Sequence, residues 1–131
     1  MAMMAAETLG LPIARVRATV ADTSSIGFSD LTGGSRVTFA TGMAVVQAAQ
    51  KVVADLKRRA AVLWDCPADK VEWIDGTAIC TDPSTDHKPL SLKDIAGKSA
   101  KTGGPLSAAA AITAQGAGPG FAVHLVDFEL R

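Results

Sequence analysis

Cysteine is scarce in this sequence, with only Cys66 and Cys80 among 131 residues. Two are too few for a disulfide-built scaffold, and neither stands at a zinc-ligand spacing from His87 or His124. Free, buried thiols packed as small hydrophobes are expected at both positions. An excess of either charge is also missing, since 13 Lys and Arg balance 13 Asp and Glu. No long-range field draws such a chain to nucleic acid or to an anionic membrane. Nor is a secretory leader expected. The apolar start Met1-Ala2-Met3-Met4-Ala5-Ala6 has no basic residues before it and is interrupted by Glu7, and no later run approaches a membrane span. These absences predict a cytoplasmic protein with neither nucleic acid nor membrane as partner.

What is present is apolar enough to fold. Hydrophobic residues make up 48% of the chain and charged residues 20%, a balance foreign to disordered sequences, and the length suits one domain spanning residues 1–131. Residues 2–9 form a helical pattern ended by Gly10 and followed by Pro12. No capping residue precedes it, so it reads as the tail of a longer element. Ile13 to Val20 alternates with period two, which predicts a strand with Arg15 and Arg17 on its wet face. Asp22 and Thr23 are expected to stop it in a side-chain-bonded turn.

From Val37 to Leu63, apolar residues recur every three or four positions (Val37, Ala40, Ala44, Ala48, Val52, Leu56, Ala60, Leu63), which predicts one long helix. Gln50, Lys57 and Arg58 fall on its wetter side. Gly42 inside it marks either close approach of backbone or ligand or simple helix packing. Pro67 ends the helix region. Val71–Ile74, Asp75-Gly76 and Thr77–Cys80 read as a hairpin with positive φ at both turn residues. Residues 82–88 read as a surface loop in which His87 is solvated. Ser91 and Asp94 predict a capped short helix through about Lys98, with Leu90 as its staple. Residues 100–120 turn to Gly, Ala, Ser and Pro without periodicity, a loop or a stretch ordered only by another domain. Phe121 to Arg131 is expected to be a long strand with His124 packed in it.

The chemistry concentrates at Thr32-Gly33-Gly34-Ser35-Arg36, where a loop meets the N-terminus of the long helix. Orphan backbone N–H groups at such an end attract anions. Gly33 and Gly34 permit positive φ and close approach, Thr32 and Ser35 add hydroxyls, and Arg36 adds a fork suited to phosphate oxygens. The same residues also suit a plain turn in which a hydroxyl caps the helix.

Leu9-Gly10-Leu11-Pro12, Ala21-Asp22-Thr23, Thr32-Gly33-Gly34-Ser35-Arg36-Val37-Thr38 and Gly42 in its Ala-rich helix, taken together, resemble the molybdenum-cofactor-binding large subunit of the xanthine dehydrogenase, aldehyde oxidase and carbon monoxide dehydrogenase family. Ala21 stands where that family usually has Gly. The resemblance implies a molybdenum-pterin dinucleotide, of the molybdopterin cytosine dinucleotide kind, contacted by Thr32, Gly33, Gly34, Ser35 and Arg36, with Thr38 as a further candidate. It also implies that the chain is a fragment of a molybdenum-cofactor-binding domain. The family's catalytic Glu lies in a Gly-Glu motif, and no Gly-Glu dipeptide occurs here. The cysteine sets that hold iron–sulfur clusters are also missing.

These readings imply no catalytic residue and no metal ligand in this chain. The expected function is a cofactor-binding segment of an oxidoreductase acting on an aldehyde, an aromatic heterocycle or carbon monoxide. Its implied partners are the remainder of the large subunit and iron–sulfur and flavin subunits or domains. Alone, the chain is expected to be inactive and to hold no cofactor, because a large ligand gripped from several segments loses most of its affinity to one. The alternative is a stand-alone binding or self-association domain that keeps the fold. The chain ends discriminate the two, because apolar Met3, Met4, Phe128 and Leu130 need partners if their natural neighbours are gone, and a homodimer fits either reading. The expected fold is α+β, with a mixed or antiparallel sheet, one long helix across it and one or two short helices.

Overall fold

The computed structural model describes residues 1–20, 24, 29, 31–116, 118, 120 and 122–129. The expected turn at Asp22 and Thr23 and the apolar Leu130 lie outside them. Helix α1 (Ala2–Leu9) stops at Gly10, whose φ of 66° lets its N–H reach the Glu7 carbonyl while the Leu11 N–H reaches that of Ala6. A single turn of 3₁₀ helix, Ile13–Arg15, follows. A π-helical turn, Val37–Thr41, leads into α2 (Gly42–Trp64), so the long helix predicted from periodicity forms over its whole length. Asp65 caps it in the left-handed conformation, two residues ahead of Pro67.

After a 3₁₀ turn at Ala68–Lys70 come β1 (Val71–Ile74) and β2 (Thr77–Cys80), antiparallel with Val71 opposite Cys80. Asp75 and Gly76 take φ of 47° and 73°, the two positive values that a tight hairpin turn demands. Strand β3 (Leu90–Ser91) pairs antiparallel with β2 to complete the order β1-β2-β3. Helix α3 (Leu92–Gly97) opens with a capping box, in which Asp94 N–H donates to the Ser91 hydroxyl and the Asp94 carboxylate accepts from Ser91 N–H. A turn of helix, α4 (Ser99–Thr102), follows.

The core forms where α2 crosses this sheet. Leu56, Ala60 and Ala61 of α2 pack with Val71, Ala78 and Ile95, walled by Val52, Leu63, Trp64 and Leu90 among others. This is the α+β arrangement expected, with an antiparallel sheet. By length and composition alone, Val37–Trp64 is a helix able to cross a membrane, contrary to the reading that no run approaches a span. Its Ala-rich composition raises the hydropathy, and the same small side chains bring it close to α1 and the sheet.

Gly42 belongs to that packing. A methyl group there would lie 2.8 Å from Met4 Sδ, so the missing side chain is what seats α1 on α2. Arg59, within the same helix, is 3% exposed. It donates to Asp55 Oδ2 at 2.7 Å and to the carbonyls of Gly104 and Pro105, tying the segment after α4 to the core helix.

Several expectations are corrected. Ile13–Arg15 is helical, and residues 16–20 lie in no ladder among the described residues, although Arg15 and Arg17 are both exposed as expected. Residues 122–129 likewise form no strand and are exposed, His124 included. The physical reason is shared: a strand needs a neighbouring edge to satisfy its backbone, and no described residue offers one to either segment. His87 is not simply solvated, because its ring stacks on Trp64 with centroids 5.5 Å apart. Cys66 and Cys80 are free but only half-buried. Of the apolar residues expected to need partners, Met3 and Phe128 are exposed, whereas Met4 is half-buried beside Gly42.

Candidate functional site

The loop ahead of α2 folds as a tight turn in which Arg36 N–H donates to the Gly33 carbonyl (3.0 Å) and Phe39 N–H to that of Ser35 (3.1 Å). Gly34 and Ser35 both take positive φ, 56° and 61°, before Arg36 returns to right-handed geometry. Reversals of this kind form backbone concavities suited to anions. The simpler reading, a Ser or Thr cap, does not form among the described residues: the N-cap position is taken by Arg36, which makes no side-chain cap hydrogen bond.

Gly33, Gly34 and Arg36 line a cavity of about 560 Å³ whose other walls are Phe39, Ala40 and the Ile112–Ala114, Gly116 and Gly118 stretch. Arg36 is the only charged side chain among these described lining residues. The space above Gly34 is open, with nothing within 4 Å of where a Cβ would stand. Ser35 and Thr38 face an adjoining groove of about 470 Å³ with Met4, Gly42, Met43 and Val46, and Phe39 and Gly118 form the wall between the two. Thr32 is exposed and lines neither. The structure thus brings together five of the six expected site residues, in two adjoining spaces rather than one.

Sequence reasoning missed the opposite wall. Gly118 lies against Phe39, where a methyl group would come within 3.3 Å of Phe39 Cβ. The only sequence signal was the Gly-rich composition of 103–120, which names no contact. The loop also gains support at a distance from Lys51, whose ammonium donates to the Ala109 carbonyl at 2.9 Å and holds the incoming segment along α2. Among the described residues, no group of three or more His, Cys, Asp or Glu is arranged to hold a metal ion.

The donor set therefore suits a phosphate-bearing group rather than a bare metal: open glycine backbone, one guanidinium, and an apolar groove beside them for a flat or aliphatic portion. Residues 1–129 match the family described as molybdopterin cofactor-binding domain. No curated protein sequence matches the chain. In fold it is similar to a Cu,Mo-CO dehydrogenase whose crystal structure was solved in the carbon monoxide reduced state, at a TM-score of 0.70 and 24% identity. That likeness covers 83% of this chain and 14% of the other. The chain belongs to the molybdopterin cofactor-binding domain family.

Proposed function

We propose that the chain is a cofactor-gripping segment of a cytoplasmic molybdenum hydroxylase, in which Thr32, Gly33, Gly34, Ser35 and Arg36, with Thr38, contact the pterin dinucleotide. The observation that carries this reading is the common cavity of Gly33, Gly34 and Arg36 against residues 112–118. The guanidinium of Arg36 and the glycine backbone would take the pyrophosphate oxygens, and the groove beside Ser35 and Thr38 would receive a less polar part of the ligand.

When bound, the cofactor supplies the two-electron chemistry, and the residues of this chain bind and orient it. The substrate of the whole enzyme is an aldehyde, an aromatic heterocycle or carbon monoxide. Its other parts, namely the rest of the large subunit with iron–sulfur and flavin components, supply the catalytic carboxylate and the electron path. A span of 14% of the similar dehydrogenase chain agrees with such a share of the work. The chain by itself is inactive, because it grips the cofactor from one side only.

The test is metal analysis of the intact enzyme carrying Arg36→Ala. Lowered molybdenum and pterin content, with the subunits still assembled, is the expected result. Full occupancy would remove Arg36 from the site.

A further inference from the structure

Residues 104–116 fall in the stretch that sequence leaves as a loop without periodicity, yet they lie along α2 and run against its direction. Their base is pinned. Arg59, 3% exposed, donates to the Thr102 hydroxyl and to the carbonyls of Gly104 and Pro105, while Arg58 donates to the Thr102 carbonyl at 3.4 Å and Leu106 packs against the core cluster. About two turns nearer the start of α2, the Lys51 ammonium donates to the Ala109 carbonyl at 2.9 Å. Ile112 then borders the same cavity as Ala40, and Gly118 meets Phe39.

The two holds differ in kind. Arg59 is buried and backed by its ion pair with Asp55, so letting go of it would strand a charge inside the protein. Lys51 is exposed and donates to one carbonyl, a bond that water replaces at small cost. Beyond Ala109 the strap is undercut. Residues 110–112 border a cavity of about 510 Å³ over Ala40 and Ala44, and residues 112–114 border the cavity of about 560 Å³ in which Gly33, Gly34 and Arg36 stand. Gly116, with φ of 82°, turns the chain at the far end.

We propose, on the reading of the Arg36 cavity as the cofactor site, that Lys51 is a positioning residue for it: Lys51 latches residues 109–116 down as a strap over Arg36 and the glycines, and its release lets the strap swing about the Arg59 clamp to admit or discharge the ligand. Latched, the strap supplies the wall at 112–114 and narrows the access of water to the guanidinium, which strengthens its charge-assisted hydrogen bonds. Unlatched, it leaves Gly33, Gly34 and Arg36 on an open face. Closure over a bound ligand acts on dissociation more than on association, because the ligand leaves only when the strap lifts.

Two readouts separate the latch from the site. Elastase cuts after small residues, so cleavage of the full chain within residues 108–111, identified by peptide mass, reports how often the strap lifts with no cofactor involved. In Lys51→Met, which removes the ammonium and keeps the stem, this cleavage is expected to run about five-fold faster than in the parent at an unchanged melting temperature, and Lys51→Arg restores the slow rate. In the intact enzyme, with molybdenum and pterin followed through repeated buffer exchange, Lys51→Met loses them several-fold faster and Lys51→Arg holds them as the parent does. Equal cleavage in the parent and Lys51→Met would overturn the latch. A lowered melting temperature that Lys51→Arg fails to restore would make Lys51 a structural contact only and overturn it likewise. Faster cleavage with unchanged cofactor retention would overturn the strap's hold on the ligand, and loss of cofactor in Arg36→Ala would then leave the cofactor site itself standing. If Arg36→Ala and Lys51→Met both keep full cofactor, the site and the strap's role over it fall together.

Discussion

Gly10 and Gly76 meet backbone to backbone. A methyl group built on Gly10 would stand 2.6 Å from the Gly76 nitrogen, and one built on Gly76 would stand 2.8 Å from the Gly10 carbonyl oxygen. The cap of α1 and the hairpin turn therefore interlock. The Trp73 indole strengthens the joint by donating to the Leu9 carbonyl at 3.0 Å. Because α1 also lies on Gly42 through Met4, this junction links the sheet to the helix end that carries the candidate site.

Gly10→Ala should be among the most destabilising single substitutions in the chain. It forces an L side chain into φ of 66° and against a backbone that cannot yield, a combined cost of about 3 kcal/mol. Gly76→Ala disturbs the same contact, so the double variant should lose less than the sum of the two singles. Trp73→Phe, which removes one hydrogen bond while keeping much of the ring's burial, should cost about 1 kcal/mol. Denaturant titration of the four variants checks the order, and additive losses in the double variant would deny the shared contact.

Ser35 gives a second prediction, through backbone rather than side chain. Its φ of 61° carries the usual cost of a left-handed L-residue, and no hydroxyl cap compensates at this helix end. Ser35→Ala should leave the melting curve nearly unchanged. Ser35→Gly should raise stability by about 0.5 kcal/mol, the relief of strain less the extra freedom glycine has when unfolded. A clear loss in Ser35→Ala would restore the capped-turn reading.

Asp55 sets an acid limit on stability. Burial alone would raise its pKa, but hydrogen bonds and charge from Arg58 (2.6 Å) and Arg59 (2.7 Å) outweigh that and hold the carboxyl below its ordinary 3.8. Its contribution is then fully present above about pH 3.8, where the unfolded chain is also ionised. Below that the unfolded state takes up the proton first, so stability falls as pH drops toward the lowered folded value. Asp55→Asn should cost about 2 kcal/mol at neutral pH, because Arg59 is buried and loses its counter-charge. The gap between the two proteins should narrow below pH 4 in urea melts at stepped pH, and a gap independent of pH would exclude the linkage.

The elements legible in the sequence are those whose cause is local. Gly10 at a helix end, Asp75-Gly76 between alternating residues, and Ser91 with Asp94 each fix their own backbone, and each forms as the pattern predicts. The long helix was legible because its stripe repeats over seven turns' worth of small apolar residues. The segments at 13–20 and 122–129 were misread because period-two alternation describes only the side chains, whereas a strand also requires a partner edge that no described residue supplies. Arg59 was not singled out, because nothing next to it in sequence announces that Asp55 and the carbonyls of 104 and 105 satisfy it inside. At the candidate site, the glycines and Arg36 could be named from the motif, but the wall from Ile112 to Gly118 is a tertiary contact with no sequence period to announce it.

Arg36 carries the last prediction, in the intact enzyme. If its guanidinium meets the pyrophosphate across the cavity shared with Gly33 and Gly34, Arg36→Ala removes charge-assisted hydrogen bonds of about 1.5–3 kcal/mol, equivalent to a cofactor held roughly ten- to a hundred-fold more weakly. Arg36→Lys keeps the charge but loses the planar fork, so its occupancy should fall between Ala and the parent. Gly34→Ala tests the backbone side of the same contact, since the open space above Gly34 accepts a methyl group but its φ of 56° and the ligand's close approach do not. Molybdenum and pterin quantified per assembled enzyme, with melting curves run alongside, separate loss of cofactor from loss of fold. The graded series of parent, Lys and Ala marks a direct contact, whereas equal occupancy across all three would leave Arg36 as a structural residue of the turn alone.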